Sequence, residues 1–248
     1  MHLLTLLSLT AQAHRPSFGD LGMDDPNSAY VIEDIEISIV VYKELTCEQS
    51  ELWMRYDGLA DEELFVQLGV PVIDRLRDHR PSLAVLGPGM PPLDQPVPFD
   101  VPEGLGGYVF EAADEPADFY EPFTQTDSWI YVEETLSLVE DGIGYVVGFS
   151  PDDLTGKIWV ATGTVEDFSG IPPEEFQSWG PIVREFHEVD EYERELGYTE
   201  QVCTDAALDT GEGTGNAQGC GCSQVSPGST GAWALGLLGL AARRRQRS

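Results

Sequence analysis

Between residues 14 and 168, apolar residues alternate with polar ones in short runs that Gly, Pro and Asp interrupt. Leu52, Met54 and Tyr56, for example, fall on every second position. Side chains at every second position of a strand share one face, so the pattern predicts strands with a buried face. Short strands punctuated by turn residues are typical of all-β folds, and no strand–helix–strand rhythm is present. We therefore predict an antiparallel β-sandwich over residues 14–168.

The periodicity changes after Ser169. Two prolines, Pro172 and Pro173, suit the start of a helix, and the apolar residues that follow recur at helical spacing. These apolar residues are Phe176, Trp179, Ile182, Val183 and Phe186. We expect a helical extension over residues 169–203 that packs on the sandwich, and we expect Gly180-Pro181 to break it into two short helices.

A Pro-rich stretch runs from Gly87 to Pro102. A connection of this length between strands is expected to run over the surface. The sequence leaves open whether the stretch binds a ligand or only packs against the domain.

Acidic residues dominate the charge of the chain. It has 44 Asp and Glu against 13 Lys and Arg, and its formal net charge is −31. Such a surface repels nucleic-acid phosphates and anionic lipid head groups, so we exclude both as partners of the domain. Two interpretations stay open: the acidity binds calcium or a cationic ligand, or it keeps the protein dissolved in a salty medium.

The N-terminal segment has the pattern of a secretory signal peptide. Residues 3–10 form a short apolar run, and Ala11-Gln12-Ala13 supplies the small residues that a signal peptidase requires. The run is too short for a permanent membrane helix. We expect residues 1–13 to be removed after Ala13, and the export machinery to be a partner of the chain.

The C-terminal segment has three parts in a fixed order. Residues 204–230 form a Gly-, Thr- and Ser-rich flexible linker that contains Cys220 and Cys222. Residues 231–248 combine an apolar stretch with a terminal cluster that includes Arg243, Arg244 and Arg245. An apolar stretch before arginines stops translocation and holds the arginines on the cytoplasmic side.

This order of linker, apolar segment and arginine cluster resembles the MYXO-CTERM sorting tail of myxobacteria and their relatives. The resemblance covers about residues 219–248. It implies a tether in the cell envelope and a sorting protease that removes the tail near Cys220 or Cys222. The cysteine at that point would be a place for lipid attachment.

Two further cysteines flank the body of the chain. In an oxidising compartment Cys47 and Cys203 are candidates for a disulfide that closes a long loop. Sequence alone does not establish the pairing.

The strand cadence between Gly142 and Gly163 resembles pre-peptidase C-terminal-like β-sandwiches, which are accessory domains of secreted bacterial proteins. The resemblance agrees with an exported sandwich. It assigns no functional residue.

Cleavage after Ala13 would make His14 the first residue of the mature chain. Its α-amine and imidazole would then offer two nitrogen ligands, a set that suits copper. With a second histidine this resembles the histidine brace of lytic polysaccharide monooxygenases and of some copper carriers. The second ligand would be His187, which lies among acidic residues, whereas His79 lies between two arginines.

Calcium is the other candidate cofactor. Oxygen-rich turns occur at Asp24-Asp25 and at Asp152-Asp153, and Ca²⁺ requires several oxygen ligands. Neither segment has the spacing of an EF-hand loop, and Asp also stabilises turns by local hydrogen bonds.

Hydrolase motifs are absent from the sequence: there is no Gly-x-Ser-x-Gly and no His-Glu-x-x-His. We therefore expect a non-enzymatic, envelope-tethered module that acts in surface binding, adhesion or structure. The alternative is a copper-binding protein or oxidase that uses His14.

Overall fold

The computed structural model describes residues 14–19, 22–151 and 154–189, and these residues form eleven strands, one 3₁₀ turn and one α-helix. The strands are β1 (Arg15–Phe18), β2 (Tyr30–Val31), β3 (Ile39–Leu45), β4 (Glu51–Gly58), β5 (Glu63–Pro71), β6 (Ser82–Gly87), β7 (Gly106–Phe110), β8 (Ala117–Glu121), β9 (Thr126–Ser137), β10 (Gly142–Phe149) and β11 (Gly156–Thr162). The 3₁₀ turn is Asp74–Leu76, and the helix α1 is Pro173–Phe186.

The strands form two packed sheets, which confirms the predicted β-sandwich. The six-stranded sheet has the order β1-β3-β11-β5-β9-β8, and the five-stranded sheet has the order β2-β4-β10-β6-β7. Neighbouring strands are antiparallel with two exceptions at sheet edges, where β1 pairs with β3 and β2 pairs with β4 in parallel. Both sheets are therefore mixed, and the expected antiparallel arrangement holds for the other pairs.

The core between the sheets follows the alternation that the sequence predicts. Leu52, Met54 and Tyr56 of β4 lie in it, and so do the alternating apolar residues of β5. Trp53, whose side chain points to the other face of β4, belongs to a separate cluster outside this core. Apolar burial of this kind is the main favourable term in the stability of the fold.

The Pro-rich connection covers the outer face of the five-stranded sheet. Its apolar residues Val97, Phe99 and Val101 pack against Trp53 and Phe149 of that sheet, with the rings of Trp53 and Phe99 5.0 Å apart. The stretch from Gly87 to Pro102 thus has a packing role.

The helix α1 covers the outer face of the six-stranded sheet. Val183 and Phe186 of α1 pack against Val40, Tyr42 and Trp159 of the sheet. Every position of β11 is buried as a result, because one face of the strand contacts the core and the other contacts α1.

The expected break at Gly180-Pro181 is wrong, because α1 continues through Pro181 to Phe186. Trp179 and Val183 are buried on either side of this proline, and their packing outweighs the hydrogen bond that a proline removes from a helix. The helix lies within the predicted extension, of which residues 190–203 are outside the described residues. Among the described helices, none has the length and apolar character needed to cross a membrane.

Candidate functional site

A cavity lies between α1 and the outer face of the six-stranded sheet. Its volume is about 30 Å³, enough for about two water molecules. Five aromatic side chains, two histidines, three hydroxyl side chains and one carboxylate contribute to its wall. These residues are Tyr42, Phe119, Phe123, Trp159, Trp179, His14, His187, Thr124, Thr126, Ser128 and Glu121. The described residues that line this cavity include neither Lys nor Arg.

His187 and Ser128 form a hydrogen-bonded pair in the cavity wall. The Nδ1 atom of His187 lies 2.8 Å from the carbonyl oxygen of Val183, which only accepts, so this nitrogen carries the proton of the neutral ring. The hydroxyl of Ser128 then donates to Nε2 of His187 over 3.1 Å, and Nε1 of Trp159 donates to the same hydroxyl oxygen over 3.0 Å. The polar atoms of His187 and Trp159 are thereby satisfied in a buried setting.

Burial lowers the pKa of His187 to about 4. The nearby charge of Lys157 acts in the same direction, and the hydrogen bond to Val183 opposes both. His187 is therefore neutral at pH 7.

Gly69 makes room for the ring of Trp159. A Cβ atom at Gly69 would lie 2.1 Å from Cζ2 of Trp159, far inside contact distance. The missing side chain lets the indole lie over the sheet, where its N–H reaches Ser128.

His14 lines the same cavity as His187. Its Nδ1 atom lies 2.5 Å from the hydroxyl oxygen of Ser38. Burial lowers the pKa of His14 to about 4, while the negative charge of Glu166 acts in the opposite direction. The structure thus brings the two histidines of the copper hypothesis to one cavity. Within residues 14–19, 22–151 and 154–189, however, no group of three or more His, Cys, Asp or Glu residues is arranged to hold a metal ion.

Glu121 is the carboxylate of the cavity wall. Its Oε1 atom accepts a hydrogen bond from the backbone N–H of Phe123 over 2.8 Å. Burial raises the pKa of Glu121, and the charge of Glu166 adds to the effect, whereas the hydrogen bond from Phe123 lowers it.

Aromatic rings continue from the cavity wall along the contact between α1 and the sheet. The rings of Phe123 and Phe176 are 4.9 Å apart, those of Phe176 and Trp179 are 5.3 Å apart, and Phe168 contacts both α1 rings. Phe123 is 44% exposed, so this aromatic cluster reaches the surface.

An ion cluster fixes the chain just after α1. One oxygen of Glu188, Oε1, lies 2.7 Å from Nζ of Lys157 and 2.5 Å from NH2 of Arg75. Nζ of Lys157 also donates to the carbonyl oxygen of Phe186 over 2.9 Å. These contacts hold the end of α1, and therefore His187, against the sheet.

The calcium candidates divide between described and undescribed residues. Oδ1 of Asp25 accepts hydrogen bonds from the backbone N–H groups of Asn27 and Ser28, which lower the pKa of Asp25. Oδ1 of Asp24 accepts from the hydroxyl of Ser28. These two carboxylates thus stabilise their own turn. Asp152-Asp153 lies outside the described residues, and calcium binding stays a prediction.

Apart from Cys47, the remaining sequence candidates lie in undescribed segments. Cys47 is disulfide-bonded, and the other three cysteines of the chain are not among the described residues, so its pairing with Cys203 stays a prediction. The processing and tail residues Ala13, Cys220, Cys222, Arg243, Arg244 and Arg245 likewise lie outside the described residues.

Sequence reasoning missed most of the cavity. Thr124, Thr126 and Ser128 fall on every second position, a pattern that favours small hydroxyl side chains on one side of the chain. Thr126 and Ser128 lie on one face of β9, and Thr124 lies in the turn before it. Beside the two histidines, that pattern was the available signal for a polar wall. The other wall residues come from distant parts of the chain, and only the fold brings them together.

No protein-family model matches this chain, and a comparison with curated proteins finds no match. The fold and the cavity therefore define its class: a two-sheet β-sandwich whose single described α-helix closes an aromatic and polar cavity on one sheet.

Proposed function

We propose that this chain is an exported, envelope-tethered, non-enzymatic module that binds a small ligand in the cavity between α1 and the six-stranded sheet. The observation that carries the proposal is the wall of this cavity, in which aromatic rings and a few convergent polar groups surround one space. Small-molecule sites typically have this composition, and groups with shifted pKa values, such as Glu121 and the two histidines, concentrate at such sites.

The hydrogen bonds of Ser128 support binding rather than catalysis. A serine nucleophile needs a base that takes its proton, and His187 is at the right distance. However, the Ser128 oxygen already accepts from Trp159, which reduces its nucleophilicity, and a pKa of about 4 makes His187 a weak base at neutral pH.

The size of the cavity limits the part of a ligand that enters it. A volume of about 30 Å³ holds a group only slightly larger than water. The rest of a larger ligand would lie over the exposed ring of Phe123 and its aromatic neighbours.

Two sequence patterns support the proposed location of the domain outside the cell. The signal pattern before His14 and the C-terminal order of linker, apolar segment and arginines would place the domain outside the cell on a tether.

A ligand screen on a matched pair of variants tests the binding function. Val40 lines the cavity, and Val40→Met directs a longer side chain into it, whereas Val31→Met makes the same change at an exposed site on the five-stranded sheet. We expect compounds that raise the thermal midpoint and change tryptophan emission in the wild type and in Val31→Met but not in Val40→Met. Equal responses of the two variants would contradict binding in this cavity.

Copper binding is a second candidate, and the shared position of His14 and His187 at one cavity favours it. Both imidazoles are neutral at pH 7, which is the form that binds metals. A metal at His187 would have to replace its hydrogen bond with Ser128 or that with Val183.

Calorimetry and EPR with Cu(II) test this candidate on protein processed to begin at His14 and on the same protein with one additional N-terminal Ala. Tight binding with nitrogen hyperfine structure, lost in the extended protein, is the result that copper binding requires. Absence of binding in both forms would exclude it.

A further inference from the structure

We infer that the part of the ligand that enters the cavity is a primary ammonium group at the end of an alkyl chain. This inference rests on the proposed binding function and names the chemical class of its ligand. Four features of the cavity carry it: its size, its charge, its hydrogen-bond acceptors and its aromatic rings.

The size of the cavity selects a small cationic group. A volume of about 30 Å³ holds a group only slightly larger than water. A primary ammonium group has a single heavy atom, as water has, and fits this space. Guanidinium, imidazolium and trimethylammonium groups contain several heavy atoms each and do not fit. The alkyl chain that carries the ammonium group would lie outside, over the exposed ring of Phe123.

The charge of the cavity has the sign that a cation requires. Glu121 lines the cavity, and the exposed carboxylate of Glu166 is close enough to influence the pKa values of both Glu121 and His14. His14 and His187 are neutral at pH 7 and do not oppose a cation. Burial raises the pKa of Glu121, and an ammonium group beside this residue would favour its ionised form and offset the lost solvation.

Two basic side chains near the cavity are engaged outside its wall. Lys157 is bonded to Glu188 and to the carbonyl oxygen of Phe186. Arg184 donates to the carbonyl oxygen of Thr124 over 3.3 Å. Their positive charges are thus directed to partners of their own, and neither residue lines the cavity. The place beside Glu121 is therefore left to a cation from outside the chain.

The wall offers acceptors for the N–H donors of a primary ammonium group. Such a group brings three donors, which need acceptors when the group is buried. A carboxylate can accept about four hydrogen bonds, and among the described residues Glu121 accepts one, from the backbone N–H of Phe123. The hydroxyls of Thr124 and Thr126 bond to each other over 2.8 Å. Because each hydroxyl oxygen has two lone pairs, this bond leaves acceptor capacity on both threonines.

Aromatic rings add a further attraction for the ammonium group. Tyr42, Phe119 and Trp159 line the cavity, and the electron-rich faces of aromatic rings attract cations. Burial raises the pKa of Tyr42, and the negative charge of Glu121 raises it further. The carboxylate and the ring therefore lie within electrostatic reach of each other, and one ammonium group can interact with both.

The test compares three butyl compounds on the full-length chain at pH 7, where an alkylamine is protonated. They are butan-1-amine, the uncharged butan-1-ol and the butyltrimethylammonium ion. Binding is followed by calorimetry and by the emission of the tryptophans, two of which line the cavity. We expect butan-1-amine to bind at least about tenfold more tightly than butan-1-ol, because only the amine gains from Glu121 and from the ring faces.

Butyltrimethylammonium controls for charge without the matching size. It experiences the same long-range attraction to a chain with a net charge of −31 as butan-1-amine does. Its head group is too large for the cavity, so we expect it to bind at least about tenfold more weakly than butan-1-amine.

Charge-removing variants locate the effect. Glu121→Gln should weaken binding of butan-1-amine several-fold and leave binding of butan-1-ol unchanged, because the substitution removes charge and keeps the shape. Glu103→Gln is the matched control: Glu103 is exposed in the connection that leads to β7, an edge strand of the five-stranded sheet, and this variant should bind the amine like the wild type. Equal binding of the amine to Glu121→Gln and Glu103→Gln would overturn the inference.

A fourth probe distinguishes two sources of the ammonium group. Nα-acetyl-lysine methylamide carries the same butylammonium group on a peptide unit. Binding of this probe and of butan-1-amine would support the inference and include lysine side chains of other proteins among the ligands. Binding of butan-1-amine alone would support the inference and restrict the ligand to free alkylamines.

The outcomes separate this inference from the proposed function. Equal binding of butan-1-amine and butan-1-ol in the wild type, lost in Val40→Met, would overturn the inference and keep the cavity as a binding site. Binding of butyltrimethylammonium as tight as that of butan-1-amine would overturn the entry of a primary ammonium group. Binding of none of the probes would overturn the inference, and the ligand screen with Val40→Met and Val31→Met would then decide the proposed function.

Discussion

The Nε2 atom of His187 lies 3.1 Å from the hydroxyl oxygen of Ser128, and this hydrogen bond joins the end of α1 to strand β9 of the six-stranded sheet. The bond exists in this form only while the imidazole is neutral, because Nε2 must be unprotonated to accept the hydrogen bond from the serine hydroxyl. The attachment of α1 is therefore linked to pH.

Stability is expected to fall in acid because of His187. Its pKa is about 4 in the folded chain and 6.5 without the influence of the fold, so the unfolded chain binds the proton at a higher pH. The contribution of neutral His187 to the free energy of unfolding is constant above about pH 6.5. The free energy of unfolding then falls by about 3 kcal/mol as the pH drops from 6.5 to about 4. Urea denaturation at several pH values in this range measures the loss.

His187→Gln separates this effect from the titration of other groups, since a glutamine keeps an acceptor for Ser128 and does not titrate. The variant should show a flatter dependence on pH than the wild type between pH 6.5 and 4. The same slope in both proteins would contradict the role of His187.

Gly69→Ala should destabilise the fold by about 1–3 kcal/mol, because the new methyl group would collide with Trp159 and displace it from Ser128. Gly180→Ala is the control, since nothing lies within 4 Å of its added Cβ. We expect this control to stay within about 1 kcal/mol of the wild type. Thermal and urea denaturation measure both changes, and equal effects would argue against the contact with Trp159.

Glu188→Gln should loosen the end of α1 by leaving Lys157 and Arg75 without their shared carboxylate. We expect the free energy of unfolding to fall by about 1–3 kcal/mol. The loss is not larger because solvent partly screens the ion cluster. Glu185→Gln removes a charge from the exposed face of α1 and should have little effect. Hydrogen exchange of the α1 amides is the most direct measurement. Unchanged exchange in Glu188→Gln would contradict the role of the ion cluster in holding the end of α1.

Deletion of residues 219–248 should release the protein into the culture medium, because the linker cysteines, the apolar stretch and the arginines are all removed. Immunoblots of cell and medium fractions measure the distribution. Retention of the shortened protein at the cell surface would contradict the tether.

The sandwich could be predicted because its alternation is local. The spacing of Leu52, Met54 and Tyr56 predicts the buried face of their strand, and no information from the rest of the chain is needed. The parallel pairing of β1 and β2 could not be predicted, because the partner and direction of an edge strand depend on contacts between distant segments. The break at Pro181 was predicted from local propensity, and the packing of Trp179 and Val183 overrides it.

The cavity could be predicted only in fragments. His14 and His187 were identified as a pair from their chemistry, and the fold does place both at one cavity. Glu121 and Trp179 carried no signal of their own, because a carboxylate in a strand and an aromatic residue in an amphipathic helix are common. They line one cavity only because the fold brings the end of β8 and helix α1 to the same face of the six-stranded sheet.

The strands at the sheet edges also affect whether copies of this protein associate edge to edge at high concentration. An edge strand exposes unpaired backbone N–H and C=O groups that can recruit a neighbouring molecule into a continuous sheet. Here one edge is a four-residue strand that contains Pro16, and another is the two-residue strand Tyr30–Val31. The opposite edge of the larger sheet, β8, carries Asp118 and Glu121. Edge strands that are short or charged in this way oppose the growth of a continuous sheet between molecules, even at high local concentration.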